Sequence, residues 1–116
     1  MKRVLVCGGR NFSDAEFLNA ELDRLHAEHG FTVVIEGCAK GADQLAGLWA
    51  DTRGIEHLKF PADWEKHKRA AGPIRNEQML RDGKPDLVVA FPGGRGTAHM
   101  IRIAQVARVW VIEPKR

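Results

Sequence analysis

The sequence has little of what marks a secreted, membrane-bound or metal-binding protein. Its 116 residues contain only two cysteines, Cys7 and Cys38, and these form no CxxC pair. We therefore expect two small hydrophobic residues in a reducing compartment. No apolar run approaches the ~20 residues that a transmembrane helix needs. The five histidines show no metal-ligand spacing, so we expect neither a metal nor another cofactor.

Targeting segments, repeats and linkers are lacking as well. The first residues, MKRVLVCGGR, are basic and then apolar, but the apolar part is too short for a signal peptide and glycines interrupt it. We expect a first strand there and a cytoplasmic protein. The length predicts a single domain over residues 1–116. A net charge of +3 permits an anionic ligand without demanding one.

Short β-branched runs alternate with helical apolar periods along the whole chain. The predicted strands are Arg3–Cys7, Thr32–Glu36, Ile55–Phe60, Asp86–Phe91 and Arg108–Glu113. The first helix is predicted to start at the N-cap Ser13, with Glu16 as its capping-box partner, and to end at Gly30. Strict alternation predicts an α/β fold, a Rossmann-like three-layer sandwich with a five-stranded parallel sheet. Right-handed crossovers favour the strand order 3-2-1-4-5.

Glycines and basic residues are concentrated in the loops that follow the first four predicted strands. These loops are Gly8–Asp14, Gly37–Asp43, Pro61–Asn76 and Pro92–Thr97. They emerge at the carboxyl edge of a parallel sheet, where ligands bind near the point at which the strand order reverses. The same edge is therefore the predicted binding site.

The stretch PGGRGT, Pro92–Thr97, has the features of a phosphate-binding turn. A glycine turn lets the backbone approach an anion, and the helix that follows offers free N–H groups and a positive dipole. Arginine side chains suit phosphate oxygens, and Asp43 is a candidate acceptor for ribose hydroxyls. Neither the GxGxxG fingerprint nor the P-loop pattern is present. The predicted ligand-binding residues are Gly8, Gly9, Arg10, Lys40, Gly41, Asp43, Arg75, Asn76, Pro92, Gly93, Gly94, Arg95, Gly96 and Thr97.

The basic run 66–69 leaves two interpretations open. It is either a solvated loop or, with Trp64 before it, a surface on which single-stranded nucleic acid stacks. Trp49, Ile101 and Ile103 are candidates for an apolar patch that joins two copies of the chain, or they only cover the sheet.

Four ordered motifs carry a family resemblance over about residues 3–112. They are GGR after the first strand, GxxKGAD and GPIRNEQM at the starts of the second and third helices, and PGGRGTAHM at the start of the fourth. With them the chain resembles a YspA-type member of the SLOG superfamily, which joins the DNA-processing protein DprA (Smf) with the LOG phosphoribohydrolases. The resemblance implies a Rossmann-like fold that binds nucleotides or nucleotide-derived molecules at these loops.

The LOG enzymes hydrolyse nucleoside 5′-monophosphates, and their motif PGGxGTxxE ends in a catalytic glutamate. The resemblance extends through Thr97, but Met100 stands where the glutamate would be. A LOG arginine finds a match in Arg75. Three functions therefore stay open: a binding module for a small phosphorylated nucleotide derivative, a LOG-like phosphoribohydrolase, and a DprA-like binder of single-stranded nucleic acid.

Overall fold

The computed structural model describes residues 2–116, which form a five-stranded sheet with all neighbouring strands parallel. The strands are β1 Lys2–Cys7, β2 Phe31–Glu36, β3 Glu56–Lys59, β4 Leu87–Ala90 and β5 Trp110–Ile112. Their order is β3-β2-β1-β4-β5, so the α/β Rossmann-like fold and the 3-2-1-4-5 order predicted from the sequence are confirmed. The order reverses between β1 and β4.

Helices cover both faces of this sheet. They are α1 Ala15–His29, α2 Ala42–Thr52, α3 Trp64–His67, α4 Ala71–Gly83 and α5 Arg95–Val106. Side chains of β1 alternate between two apolar layers. Val4 and Val6 pack with α1 and α2, whereas Leu5 and Cys7 pack with α4 and α5. The central strands are buried on both faces, which explains their continuous β-branched sequence.

The N-cap of the first helix lies one residue after the predicted position. Asp14 is the N-cap, and its carboxylate accepts a hydrogen bond of 3.1 Å from the Phe17 amide. The prediction of Ser13 was therefore wrong. Ser13 and Asp14 are both residue types that favour the N-cap position, and the direction in which the chain enters the helix selects between them. At the other end, Gly30 caps the helix in the left-handed conformation, with φ of 69°, as its position predicted.

The long loop predicted after β3 is mostly helical. It contains α3, a 3₁₀ turn over Lys68–Ala70, and the first residues of α4, which begins at Ala71 rather than at the GPIRN motif. Pro73 lies in the first turn of α4, where the amide hydrogen that proline lacks has no helical partner to lose. The carboxylate of Asp63 caps α3 by accepting from the Lys66 amide at 3.1 Å.

The residues considered either for an apolar patch between two copies or for covering the sheet lie largely inside the protein. Trp49 is 1% exposed and its indole N–H donates to the Asp23 carboxylate at 2.9 Å. Ile101 and Ile103 are half-buried and pack on the layer that contains α5. These three residues therefore form no exposed patch. Among the described helices, none combines the length and apolar character that crossing a membrane requires.

Candidate functional site

A cavity of about 1120 Å³ opens at the carboxyl edge of the sheet, beside the point where the strand order reverses. It is bounded by the loops after β1 and β4, the segment between β3 and α4, and the first turns of α4 and α5. Twelve of the predicted ligand-binding residues line it: Gly8, Gly9, Arg10, Asp43, Arg75, Asn76, Pro92, Gly93, Gly94, Arg95, Gly96 and Thr97. The sheet topology thus brings together loops that are far apart in the sequence.

Gly9 joins three of these loops through backbone atoms. Its N–H donates to the Pro92 carbonyl at 2.9 Å, and its carbonyl accepts from the amides of Phe12 and Ala42 at 3.2 Å each. The approach of α2 is equally close at Gly8, where an added Cβ would lie 2.6 Å from the Cβ of Ala42. The loop after β1 therefore has a fixed position between α2 and the loop after β4.

The glycines of PGGRGT fall into two groups. A Cβ added at Gly93 would lie 2.2 Å from Thr97 Oγ1 and 2.7 Å from the Gly9 nitrogen, so the fold itself requires this glycine. A Cβ added at Gly94 or Gly96 would meet no heavy atom of residues 2–116 within 4 Å. Internal packing explains Gly93, and it does not explain the other two, both of which line the cavity.

The amino end of α5 faces the same cavity. Gly94 is the N-cap, and no side chain in the described chain caps the helix there. The Ala98 amide is the first to bond within the helix, to the Gly94 carbonyl at 3.0 Å. The amides of Arg95, Gly96 and Thr97 precede this bond, as in every helix start, and the dipole adds a positive potential.

Arg75 and Asn76 connect α4 to two of the loops. The Arg75 guanidinium donates to the Gly37 carbonyl and, through Nε, to Asn76 Oδ1 at 3.1 Å. The buried Asn76 amide donates to the Gly96 carbonyl at 3.2 Å and to Nδ1 of His99 at 3.1 Å. Both polar atoms of Asn76 therefore have protein partners, and the residue holds the first turn of α5 against α4.

The cavity is strongly positive. Its lining carries five arginines and one aspartate, a formal charge of +4 in a chain whose total is +3. The arginines are Arg10, Arg69, Arg75, Arg95 and Arg102. Across residues 2–116, none of these five forms an ion pair with a carboxylate. The other residues of the chain sum to a formal charge of −1, so the net positive charge of the protein lies at the cavity.

Trp64 of α3 stands at the cavity with 46% of its surface exposed. The guanidinium of Arg10 lies over its ring, 5.4 Å from the ring centroid. Arg69, on the 3₁₀ turn that follows α3, lines the same cavity. Part of the basic run 66–69 therefore belongs to the cavity wall, an arrangement that neither of its two interpretations from the sequence included.

Asp43 is the one acidic residue of the lining and is only 6% exposed. Burial raises the pKa of its carboxyl group to about 6, and the nearby Glu36 adds to the rise. A hydrogen bond of 3.2 Å from the Ala39 amide and the charge of Arg75 act in the opposite direction. The carboxyl group thus holds the loop after β2 and also contacts the cavity.

Two predicted site residues lie outside the lining. Gly41 is packed beneath the loops: its φ is 81°, and an added Cβ would lie 2.2 Å from the Gly9 carbonyl oxygen. Lys40 precedes it on the same loop and is exposed to solvent. The backbone conformation and close packing at position 41 therefore explain why glycine occurs there.

Comparison with known proteins identifies the family of this chain. Residues 2–67 match the family described as "YAcAr: YspA, cpYpsA-related SLOG family". The chain belongs to this family. It is also similar to the "Gene 61 protein" of Mycobacterium phage D29, with 41% identity over 120 aligned positions that cover 97% of this chain and 95% of the phage protein. The family match includes the loops after β1 and β2 and ends before Arg75 and PGGRGT.

This SLOG protein differs at the position that corresponds to the LOG glutamate. Met100 is completely buried among the apolar residues between the sheet and α5, and it is not part of the cavity lining. The carboxylate of Glu77 on α4 is exposed and also lies outside the lining. Of the carboxylates in the described residues, Asp43 alone lines the cavity.

Among the lining residues that the sequence analysis did not predict to bind a ligand are three basic ones, Arg69, His99 and Arg102. His99 and Arg102 follow Arg95 by four and seven residues on α5, a spacing that places them on one face of a helix. That spacing was a usable signal. The position of Arg69 depends on the fold of the segment after β3, which has no apolar periodicity.

A side-chain contact between Glu36 and His57, outside the cavity lining, supports the loop after β2. The Glu36 carboxylate accepts from the Cys38 amide and bonds to Nε2 of His57 on β3. Cys38 has a φ of 65°, and burial raises the pKa of its thiol. Both cysteines are free in the described chain.

Proposed function

We propose that this protein is a binding module for a small nucleotide-derived phosphorylated ligand, held at the glycine-rich loops of the cavity. One observation carries the proposal. The uncapped first turn of α5, with two glycines that internal packing does not require, opens onto a cavity that arginines line without acidic partners. An anion is the ligand that such an arrangement favours.

The first turn of α5 is the proposed phosphate site. Backbone N–H groups of Arg95, Gly96 and Thr97 point out of the start of a helix, where a phosphate accepts them without competing with helix bonds. Side chains at positions 94 and 96 would fill the space that a phosphate needs. Arg95 supplies charge, and the Thr97 hydroxyl supplies a further donor.

The remainder of the cavity suits a nucleoside. The ring of Trp64 is partly exposed, and the face that Arg10 leaves uncovered is the proposed stacking surface for a base, a contact that contributes about 1–3 kcal/mol. The Asp43 carboxyl group is the proposed acceptor for ribose hydroxyls. The volume of about 1120 Å³ is slightly larger than that of most small-molecule sites.

A thermal-shift screen against nucleoside mono-, di- and triphosphates, nucleotide sugars and cyclic dinucleotides tests the proposal. A ligand at 100 times its Kd stabilises the folded state by about 2.7 kcal/mol, which raises the Tm measurably. The variant Gly94→Asp puts a negative charge where the phosphate would lie, in space that is open in the protein. We expect it and Arg95→Ala to abolish the shift without lowering the Tm of the free protein.

Arg81→Ala is the matched control. It also removes one arginine, but from the exposed carboxyl end of α4, where Arg81 pairs with Asp82. Its ligand-dependent shift is expected to equal that of the wild type. If no phosphorylated compound shifts the Tm while single-stranded DNA binds at low salt, the small-ligand proposal is wrong and the nucleic-acid alternative takes its place.

A second candidate, hydrolysis of the N-glycosidic bond, is favoured by Asp43 alone. A buried carboxyl group with a pKa of about 6 is suited to proton transfer near neutral pH. In this reaction, protonated Asp43 gives its proton to the departing base as the glycosidic bond breaks, water adds to the sugar carbon, and a proton of that water returns to the Asp43 carboxylate. Chromatography of a bound nucleotide would then show free base with the wild type and none with Asp43→Asn. Intact nucleotide after long incubation with the wild type would eliminate this candidate.

A further inference from the structure

We propose that Arg10 and Arg69, together with Trp64, form a second anion subsite, so that the ligand carries at least two phosphate groups. The inference rests on the proposed function and adds to it the class of ligand. It assigns the first phosphate to the start of α5 and the second to these two arginines, which belong to different parts of the chain from Arg95.

The charge of the cavity lining supports a second anion. A phosphate monoester carries about −1.5 to −2 at neutral pH, whereas the lining carries a formal +4. One phosphate would leave roughly half of this charge uncompensated. Because the lining arginines have no ion-pair partners within residues 2–116, the protein itself does not supply the difference. A second phosphate group does.

The position of Arg10 also supports the subsite. Its guanidinium lies over the Trp64 ring, 5.4 Å from the ring centroid, and a cation–π contact leaves guanidinium N–H groups free to donate to oxygen acceptors. This contact restricts the side chain before any ligand arrives, which lowers the entropy lost on binding. An exposed arginine with no such contact would have to be ordered by the ligand.

The segment that carries Trp64 and Arg69 also supports the second anion subsite. Neither α3 nor the following 3₁₀ turn contains a buried residue, and Lys68 between them has a φ of 53°. Packing of side chains in the core therefore does not explain the course of this segment. Its contacts at the cavity, the Trp64 ring against Arg10 and Arg69 in the lining, are those that a ligand would use.

Titration calorimetry with matched nucleotide pairs tests the subsite: AMP with ADP, GMP with GDP, CMP with CDP, and UMP with UDP. Because hydrogen bonds to charged groups are stronger than those between neutral groups, we expect the diphosphate of the pair that binds to have a Kd at least about tenfold lower. ADP-ribose, whose second phosphate is bridging, is titrated beside ADP, whose second phosphate is terminal. Preference between them identifies the form of the diphosphate.

Three variants locate the effect. Arg10→Gln and Arg69→Gln are expected to raise the Kd of the diphosphate to near that of the monophosphate and to change the latter less than about threefold. Trp64→Leu removes the ring on which Arg10 rests, so the preference for the diphosphate should fall as well. Arg81→Gln, which removes a positive charge outside the cavity, should leave both constants unchanged.

Different results would refute the second anion subsite and the proposed function. If monophosphates bind and diphosphates bind no more tightly, the second subsite is refuted and the proposed function stands. A preference for the diphosphate that survives in Arg10→Gln and Arg69→Gln also refutes it. If no member of any pair binds, and ADP-ribose does not bind either, the proposed function is wrong, and the inference with it.

Discussion

The two groups of glycines in PGGRGT lead to opposite expectations for alanine substitution. In Gly93→Ala the new Cβ would lie 2.2 Å from Thr97 Oγ1 and 2.7 Å from the nitrogen of Gly9. Neither atom moves freely, because Thr97 is buried and the Gly9 amide is bonded to Pro92. Forcing an extra methyl group into a packed site costs about 1–3 kcal/mol. For a chain of this size the Tm should fall by about 4 °C per kcal/mol.

Gly96→Ala is the matched control. It lies in the first turn of α5, where a Cβ meets no atom of the described residues within 4 Å. Alanine is the better helix former by up to about 1 kcal/mol, so the Tm should stay the same or rise by a few degrees. Binding of the phosphorylated ligand should nevertheless weaken, because the methyl group enters the proposed phosphate site.

Thermal unfolding followed by circular dichroism measures both Tm values, and urea titration gives the free energies of unfolding. A Tm of Gly93→Ala equal to that of the wild type would refute the packing explanation of this glycine. A clear loss of stability in Gly96→Ala would refute the assignment of open space at that position. Ligand binding that is unaffected in Gly96→Ala would argue against a phosphate at this turn.

Two further predictions concern Asp43 and Met100. The folded-state pKa of Asp43, about 6, exceeds the usual 3.8, so its contribution to stability is present at acidic pH and is lost as the pH rises from about 4 through 6. Urea titrations at pH 4.5 and 7.5 should show this decline in the wild type and a smaller one in Asp43→Asn; identical declines would contradict it. Met100→Glu, which buries a carboxylate in the apolar layer, should lower the free energy of unfolding by several kcal/mol, whereas Met100→Leu should cost less than about 1.5 kcal/mol. A stable Met100→Glu variant would mean that this position reaches the cavity.

The sheet and the position of the glycine-rich loops at its carboxyl edge could be predicted because their signals are local and repeated. Each central strand is a continuous β-branched run, since it is buried on both faces, and each of the four longer helices has its own apolar period. The handedness of the crossovers then leaves one favoured order. The position of the glycine loops follows from that order without further information.

The interior of the site depends on contacts that no local pattern encodes. The interaction of Arg75 with the Gly37 carbonyl joins α4 to the loop after β2, and the pair of Glu36 with His57 crosses two strands. A sequence lists these residues but does not pair them. The segment after β3 was also missed, because α3 has four residues and depends on the Asp63 cap and on contacts at the cavity.

The burial of Trp49 could not be predicted from its own segment of the sequence either. Its place in α2 was evident, but the choice between a buried face and an exposed one depends on α1, whose Asp23 accepts the indole N–H. Gly41 was predicted to bind a ligand because its loop combines glycines with Lys40 at the carboxyl edge of the sheet. Its positive φ and its close contact with Gly9 give it a structural reason that only the fold reveals.

The links through Gly9 are made of backbone atoms alone, and this separates the frame of the site from its chemistry. Substitution of neighbouring side chains does not remove a bond between an amide and a carbonyl, provided that the glycines remain. Arg10, Trp64 and Arg69 can therefore be exchanged in the course of evolution while the loops keep their places. Related chains that share this frame are free to diverge in the ligand they recognise, and a common fold at this edge does not imply a common ligand.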